Sequence, residues 1–175
     1  MLDEEKVING CKLNIEEHQN TIYQKFYPLA YKYCMRYGSS MEDGYDLIQE
    51  VFIKLFDNIN KFNGKTFNEF GSWFKKLIIN YCIDVHRKNK MSFVDDDSSF
   101  NVIGLDEGIE PKYSTEEILK AIDKLSPRYK TIFNLHIMDG YTHEEISNML
   151  GITSNSSKSI LYKAKNKLRK YLGDS

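Results

Sequence analysis

Residues 142–168 read THEEISNMLGITSNSSKSILYKAKNKL and contain the most specific structural pattern in the chain. Thr142 and Glu145 have the spacing of a capping box, a reciprocal hydrogen-bonding pair at the start of a helix. Gly151 suits the left-handed turn that ends such a helix, and a second helix is predicted to begin near Ser154. Two capped helices joined by a tight glycine turn are typical of a helix-turn-helix.

The second of these helices is predicted to have one apolar and one polar side. The apolar side consists of Ile160, Leu161, Ala164, Leu168 and Tyr171. The polar side consists of Asn155, Ser159, Tyr162, Asn166 and Arg169, flanked by Lys158, Lys163 and Lys165. Between positions 155 and 172 there are six basic residues and no acidic one. This pattern indicates a helix that contacts phosphates in a DNA major groove, and a solvated lysine-rich helix is the alternative.

Two further helices precede this pair. Ser114 and Glu117 form another capping-box spacing, and Ser126 followed by Pro127 marks a helix start because proline is accepted at the first helical position. The second of the two runs to residues 139–140, and its apolar positions are Ile132, Phe133 and Ile137. Residues 114–175 are therefore predicted to form a small four-helix domain.

Helical periodicity also dominates the first half of the chain. One apolar stripe consists of Ile22, Phe26, Leu29, Ala30, Tyr33, Cys34 and Tyr37. A second consists of Ile48, Val51, Phe52, Leu55, Ile59 and Phe62. A third follows a capping-box spacing at Thr66 and Glu69 and consists of Phe70, Trp73, Phe74, Leu77, Ile78, Tyr81 and Val85. Residues 1–90 are predicted to form a helical bundle with an aromatic-rich core.

Two outward faces of this bundle suggest binding. On the second helix, residues 43–61, three carboxylates frame an isoleucine opposite the apolar stripe; these residues are Asp46, Glu50, Ile53 and Asp57. This face indicates docking of a basic partner, and a solvated acidic face is the alternative. On the third helix the outward strip consists of Lys76, Asn80, Ile83 and Arg87. Asn80 can hydrogen-bond a base edge, and the polar loop before this helix, residues 61–66, is suited to an unstacked base.

Several motifs together resemble those of bacterial sigma factors of the sigma-70 family. Residues 46–52, DLIQEVF, are similar to the family's core-polymerase-binding motif. Residues 73–88, WFKKLIINYCIDVHRK, are similar to the helix that reads the −10 promoter element. LSPRY at 125–129 and GYTHEEI at 140–146 are similar to the domain that reads the −35 element. The short length resembles that of the extracytoplasmic-function (ECF) group.

The resemblance implies an all-α promoter-specificity subunit that binds core RNA polymerase through its β′ clamp helices and β flap. The implied core-binding residues are Asp46, Gln49, Glu50, Ile53 and Asp57. Those implied for the −10 strand are Phe62, Asn63, Lys65, Lys76, Asn80, Arg87 and Lys88. Those implied for the −35 duplex are Thr142, His143, Asn155, Lys158, Ser159, Tyr162 and Lys163. An anti-sigma factor is a further partner that the resemblance allows.

The chain departs from the family pattern in two respects, and each departure leads to a prediction. Ser157 stands where many relatives have an apolar residue, which predicts a less firmly packed start of the last helix. Lys158 and Lys163 stand where the family has arginines, and lysine offers a point charge rather than a fork to guanine. These two lysines are therefore predicted to contact phosphates.

A linker is predicted between the domains, at residues 91–113. It lacks a helical stripe, and its part up to position 111 contains six acidic and no basic residues: Asp95, Asp96, Asp97, Asp106, Glu107 and Glu110. Fully extended, 23 residues reach about 75 Å, enough for about two turns of duplex. The linker is predicted either to pass through the polymerase's nucleic-acid channel, as the resemblance implies, or to act as a flexible tether.

The composition argues against other classes of protein. The 175-residue chain has no stretch of about 20 apolar residues and no secretory signal pattern, so a cytoplasmic location without membrane contact is expected. Three cysteines form no CxxC motif or Cys/His cluster, so no metal or other cofactor is expected. The four histidines supply no Glu-x-x-His motif, which argues against a helical-bundle enzyme. A free-standing helix-turn-helix regulator is the main alternative function.

Overall fold

The computed structural model describes residues 3–88 and 113–173, and every regular element in these two ranges is helical. The chain divides into two compact units, Met1–Val85 and His86–Ser175. The predicted all-α class is confirmed. Apart from Tyr113, the predicted linker lies outside the described residues, and the predicted domain limits at 90 and 114 stay predictions. Within the described ranges, no helix is both long enough and apolar enough to cross a bilayer.

The first unit contains four α-helices. They are α1 (Glu4–Lys12), α2 (Glu16–Tyr37), α3 (Met41–Asn58) and α4 (Phe67–Lys88), with a 3-10 turn at Ile59–Lys61 after α3. Helix α1 was not predicted from the sequence, and its short apolar pattern of Val7, Ile8 and Cys11 is nevertheless buried. The Asp3 side chain caps α1 by accepting a hydrogen bond from the Lys6 amide at 3.1 Å.

The core of the first unit is aromatic, as predicted. Phe70 and Phe74 of α4 are fully buried. The ring centroid of Phe70 lies 4.8 Å from that of Phe26 on α2, and that of Phe74 lies 5.4 Å from that of Phe52 on α3. Such offset or tilted ring pairs add specific attraction to the hydrophobic contribution of their burial. These contacts hold α2, α3 and α4 together.

The predicted capping box at the start of α4 is present. One carboxylate oxygen of Glu69 accepts hydrogen bonds from the amides of Lys65 and Thr66, both at 3.0 Å. In return, the Thr66 hydroxyl accepts a hydrogen bond from the Glu69 amide. These bonds favour the charged carboxylate, led by the one from Lys65, and they lower the pKa of Glu69.

The second unit contains α5 (Thr115–Asp123), α6 (Pro127–Phe133), α7 (His143–Leu150) and α8 (Ser154–Leu172). The predicted capping boxes of α5 and α7 are both formed, by Ser114 with Glu117 and by Thr142 with Glu145. Proline occupies the start of α6 as predicted, although the Ser126 side chain makes no capping hydrogen bond there. The starts of all four predicted helices are therefore correct to within a residue or two.

A π-helical segment, Asn134–Met138, follows α6 and changes which residues reach the core. The Asp139 amide donates a hydrogen bond of 2.9 Å to the Asn134 carbonyl. This bond spans five residues and closes a wider turn than that of an α-helix. Leu135 is fully buried, whereas Ile137 is 44% exposed. The prediction that Ile137 lies in the core is wrong because it assumed an unbroken α-helical period.

A glycine turn joins α7 to α8. Gly151 has φ +67°, and its amide donates a hydrogen bond of 2.9 Å to the Ser147 carbonyl. The Thr153 hydroxyl then accepts a hydrogen bond of 3.0 Å from the Ser156 amide and caps α8. On α8, Tyr171 is exposed, so its predicted place on the buried side is wrong.

Replacing Gly151 by alanine is expected to destabilise the second unit by about 1 kcal/mol, because a Cβ disfavours positive φ. Gly151→Asn should cost about half as much, since asparagine tolerates this conformation. Urea unfolding followed by far-UV circular dichroism checks both variants. Fluorescence of the single tryptophan, Trp73 in the first unit, should not change. Equal stability of Gly151→Ala and the parent chain would contradict the expectation.

Candidate protein and nucleic-acid interfaces

The acidic face predicted on α3 is exposed. Its five members, Asp46, Gln49, Glu50, Ile53 and Asp57, all lie at the surface. Ile53 keeps 53% of its surface in contact with solvent. A single exposed isoleucine is ordinary by itself, and what distinguishes this one is the three carboxylates that share its face. The face therefore combines negative charge with one apolar projection.

Tyr81 of α4 contacts this face. Its hydroxyl donates a hydrogen bond of 3.4 Å to a carboxylate oxygen of Glu50. Partial desolvation, followed by the charge of Glu50, raises the pKa of Tyr81. Tyr81 was predicted to belong to the apolar stripe of its helix, and no sequence pattern indicates this contact, which orients Glu50 at the surface.

A row of four tyrosines, here called the tyrosine row, continues from the acidic face onto α2. It consists of Tyr23, Tyr27, Tyr31 and Tyr45, with successive ring centroids 5.6, 6.3 and 6.3 Å apart. Desolvation and the three neighbouring tyrosines raise the pKa of Tyr27. No role was predicted for these residues, although the four-residue spacing of three of them along α2 is a signal that the sequence contains.

The outward strip of α4 is present in part. Lys76, Asn80, Arg87 and Lys88 are exposed, as the sequence predicts. Ile83 is buried, and its assignment to this strip is wrong. The reason is that the buried face of α4 widens in its second half, where four apolar residues are enclosed: Ile78, Ile79, Cys82 and Ile83.

The loop before α4 exposes Asn63 and Lys65 but not Phe62. Phe62 is only 4% exposed, and its ring centroid lies 5.0 Å from that of Phe70 and 5.4 Å from that of Trp73. This burial conflicts with the predicted contact between Phe62 and a DNA strand. The Phe62 ring packs on the inner side of the loop, against α4. It also lies so close to Gly64 that a Cβ at this position would be 2.5 Å from the ring.

Helix α8 presents most of its predicted polar residues. Asn155 and Lys158 are exposed, and Tyr162 and Lys163 are half-buried. Ser159 is only 5% exposed, and its hydroxyl has no hydrogen-bond partner among the described residues. Its predicted exposure is wrong because the buried face of α8 is wider at this point and includes Ser159 beside Ile160 and Leu161.

A histidine pair fixes the start of α8 against α7. The Nδ1 atom of His143 lies 2.9 Å from the hydroxyl of Ser157, and Ser157 is fully buried. The rings of His143 and His136 stack with centroids 4.2 Å apart, while His136 Nδ1 lies 2.8 Å from the Tyr141 carbonyl oxygen. The predicted loose packing at Ser157 is wrong, because a polar partner replaces the apolar contact.

Burial also affects the charge of His143, a residue that the resemblance implies for the −35 duplex. Desolvation, aided by His136, Lys158 and Lys165, lowers the pKa of His143 to about 4. The ring is therefore neutral at pH 7 and offers no positive charge to a phosphate. Thr142, the other residue predicted at this end of the helix-turn-helix, is exposed and caps α7.

Comparison with known proteins relates both units to one family. Residues 22–91 match the family described as Sigma-70 region 2, and residues 115–168 match Sigma-70, region 4. RNA polymerase sigma factor SigV of Bacillus subtilis (strain 168) is 33% identical over 142 residues, which are 81% of this chain and 80% of that protein. ECF RNA polymerase sigma factor SigW of the same organism is 27% identical, with 82% and 83% covered.

A solved structure has a similar fold. It is the sigma factor RpoE in complex with the anti-sigma factor NepR from Bartonella quintana. The TM-score is 0.53 at 19% identity, and the match covers 87% of this chain and 95% of the other. At this level of identity, the likeness concerns the fold alone.

The lowered pKa of His143 gives a pH dependence with a defined sign. Between pH 6.5 and about 4 the unfolded chain binds a proton at this position that the folded chain does not. The free energy of unfolding should therefore fall as the pH drops through that window. An NMR titration should give a ring midpoint near 4, and amide signals of α7 and α8 should report the loss of stability. His143→Asn should weaken this dependence, and a midpoint near 6.5 would contradict the assignment.

Proposed function

The chain belongs to the sigma-70 family of RNA polymerase sigma factors, in its ECF group, and we propose which surfaces bind the polymerase and the promoter. As a promoter-specificity subunit it makes and breaks no bond itself. It supplies binding energy that directs the polymerase to DNA and opens the duplex. Its proposed place of action is the cytoplasm, where bacterial transcription takes place.

The acidic face on α3 is the proposed docking site for the β′ clamp helices of core polymerase. The observation that carries this assignment is the exposed Ile53 on a helix face that also presents three carboxylates. Ile53 can enter an apolar pocket of the partner while Asp46 and Glu50 pair with basic side chains, and buried apolar anchors usually dominate such interfaces. The carboxylates repel phosphates, so this face is suited to a protein rather than to DNA.

The exposed strip of α4 is the proposed site for the −10 strand. Lys76, Arg87 and Lys88 supply positive charge, and Asn80 offers an amide that can bond a base edge. Asn63 and Lys65 project from the loop before α4, and the buried Phe62 supports that loop. Opening a duplex requires unstacking at a few kcal/mol per base, which capture of one base and the exposed strand would offset.

Helix α8 is the proposed reader of the −35 duplex. Asn155 and Lys158 project from its first turns, and the capped turn at Gly151 holds the helix at a fixed angle to α7. Lysines contribute phosphate contacts that add affinity without sequence preference. Sequence discrimination is therefore assigned to the polar side chains Asn155 and Tyr162 rather than to Lys163.

The free-standing regulator is not favoured, because regions 2 and 4 of the family both match this chain. Region 2 of the family binds core polymerase, a function that a regulator acting alone does not need. An anti-sigma factor stays a predicted partner, and the acidic linker stays predicted either to pass through the polymerase's nucleic-acid channel or to act as a flexible tether.

Reversing two charges of the acidic face should abolish binding to core polymerase. For Asp46→Lys combined with Glu50→Lys, we expect at least a 100-fold loss of affinity, about 2.7 kcal/mol, because attraction to basic groups becomes repulsion. Co-purification and a fluorescence titration with core enzyme measure this change. Glu16→Lys with Glu17→Lys, two exposed residues of α2, makes the same charge change elsewhere and should have little effect. Normal association of the first variant would remove the docking assignment.

Removing the Asn80 amide should impair strand opening selectively. Asn80→Ala is expected to reduce open-complex formation about tenfold (about 1.4 kcal/mol) while −35 duplex binding stays intact. Permanganate reactivity of unpaired thymines in the −10 element measures opening. Asn68→Ala, an exposed change on another side of α4, is the matched control. An unchanged permanganate signal in Asn80→Ala would count against the strand site.

A further inference from the structure

Helix α1 lies before the part of the chain that matches region 2, which begins at residue 22. It nevertheless contacts the loop proposed to hold the −10 strand. The contacts involve three residues spaced along α1, namely Glu4, Glu5 and Lys12. Each of them meets a different position between Phe62 and Phe67.

The strongest of these contacts is made by Glu4. Its carboxylate accepts a hydrogen bond of 2.7 Å from the backbone amide of Phe67, 63 positions along the chain and partly buried. Phe67 is the first residue of α4, so its amide is one of the groups that a helix leaves without an internal partner. A carboxylate at this end also interacts favourably with the helix dipole.

The other two contacts brace the loop itself. The Glu5 carboxylate lies 3.0 Å from the ammonium of Lys65, and the ammonium of Lys12 lies 5.9 Å from the centroid of the Phe62 ring. Both are modest interactions, the first because its two side chains are largely exposed and the second because 5.9 Å is near the distance limit of a cation–π contact. Together with Glu4 they fix the loop at its beginning, middle and end.

The cap at the start of α4 is divided between two carboxylates. Glu69 accepts hydrogen bonds from the amides of Lys65 and Thr66, and Glu4 accepts one from the amide of Phe67. Glu69 is part of α4, whereas Glu4 is supplied by another helix. The geometry of the loop thus depends on α1 as well as on its own sequence.

We propose that α1 is a positioning element for strand capture, in which Glu4 holds residues 62–67 in the conformation that receives an unpaired base. This inference rests on the proposed function of the loop and α4. Glu4 acts through the backbone of Phe67 and does not itself contact DNA. At the helix start the Glu4 carboxylate accepts the hydrogen bond of the Phe67 amide, and the helix dipole favours its negative charge.

The test compares Glu4→Ala, Glu4→Gln and the control Glu17→Ala in the full chain bound to core polymerase. The probe is a single-stranded −10 oligonucleotide carrying 2-aminopurine at the base expected to flip. Glu4→Ala should bind it five- to tenfold more weakly, whereas Glu4→Gln, which keeps an acceptor oxygen, should stay within about threefold of the parent. Glu17→Ala, an exposed change on α2, should have no effect. Affinities for core enzyme and for −35 duplex should be the same in all four proteins.

Amide hydrogen exchange supplies a second readout that needs no DNA. Exchange at Phe67 should be at least tenfold faster in Glu4→Ala than in the parent or Glu4→Gln. Unchanged exchange at Phe67, or unchanged strand affinity in Glu4→Ala, would overturn the inference. A parallel loss of core binding, duplex binding and strand binding would also overturn it, because that pattern indicates general destabilisation. Failure of the parent chain to bind the probe at all would instead contradict the proposed function of the loop, and this inference with it.

Discussion

The need to satisfy the backbone amides at helix starts determines where the functional helices of this chain begin. Helices α4, α5 and α7 each begin after a hydroxyl residue, with a glutamate three positions later completing the pair: Thr66 with Glu69, Ser114 with Glu117, and Thr142 with Glu145. A helix that starts at a fixed residue and buries a fixed stripe also has a fixed set of residues on its outward side. The caps therefore fix what α4 and α7 can present to a partner.

The exposed chemistry differs between the two units, and the formal net charge of −1 conceals the difference. In the first unit, α3 presents carboxylates, Ile53 and adjoining tyrosines, a combination suited to a basic protein surface. In the second unit, α8 carries lysines and small polar residues, a combination suited to duplex DNA. Helix α4 of the first unit is the proposed site for the −10 strand. Asn80 and its basic neighbours face outward there from an aromatic core.

Sequence patterns predicted the all-α class, the starts of α4 to α8 and most exposed positions, because caps and apolar periodicity act locally, but they did not indicate α1. They failed where geometry depends on neighbours. Ile137 is displaced by the π-helical segment, and Ile83 is enclosed because the buried face of α4 widens. Phe62 packs beneath its loop instead of projecting from it. The Ser157–His143 and Glu4–Phe67 contacts join positions 14 and 63 residues apart, and no local spacing signals them.

Run-off transcription with the full chain and purified core polymerase tests the central claim most directly, namely that one unit grips the enzyme and opens DNA while the other binds duplex upstream. On a library of random promoters, the account predicts transcripts that start at defined positions and appear only when chain and core are both present. The selected templates should share an upstream duplex element and a downstream A·T-rich element. Absence of such transcripts on every template, together with tight sequence-specific DNA binding by the chain alone, would contradict it.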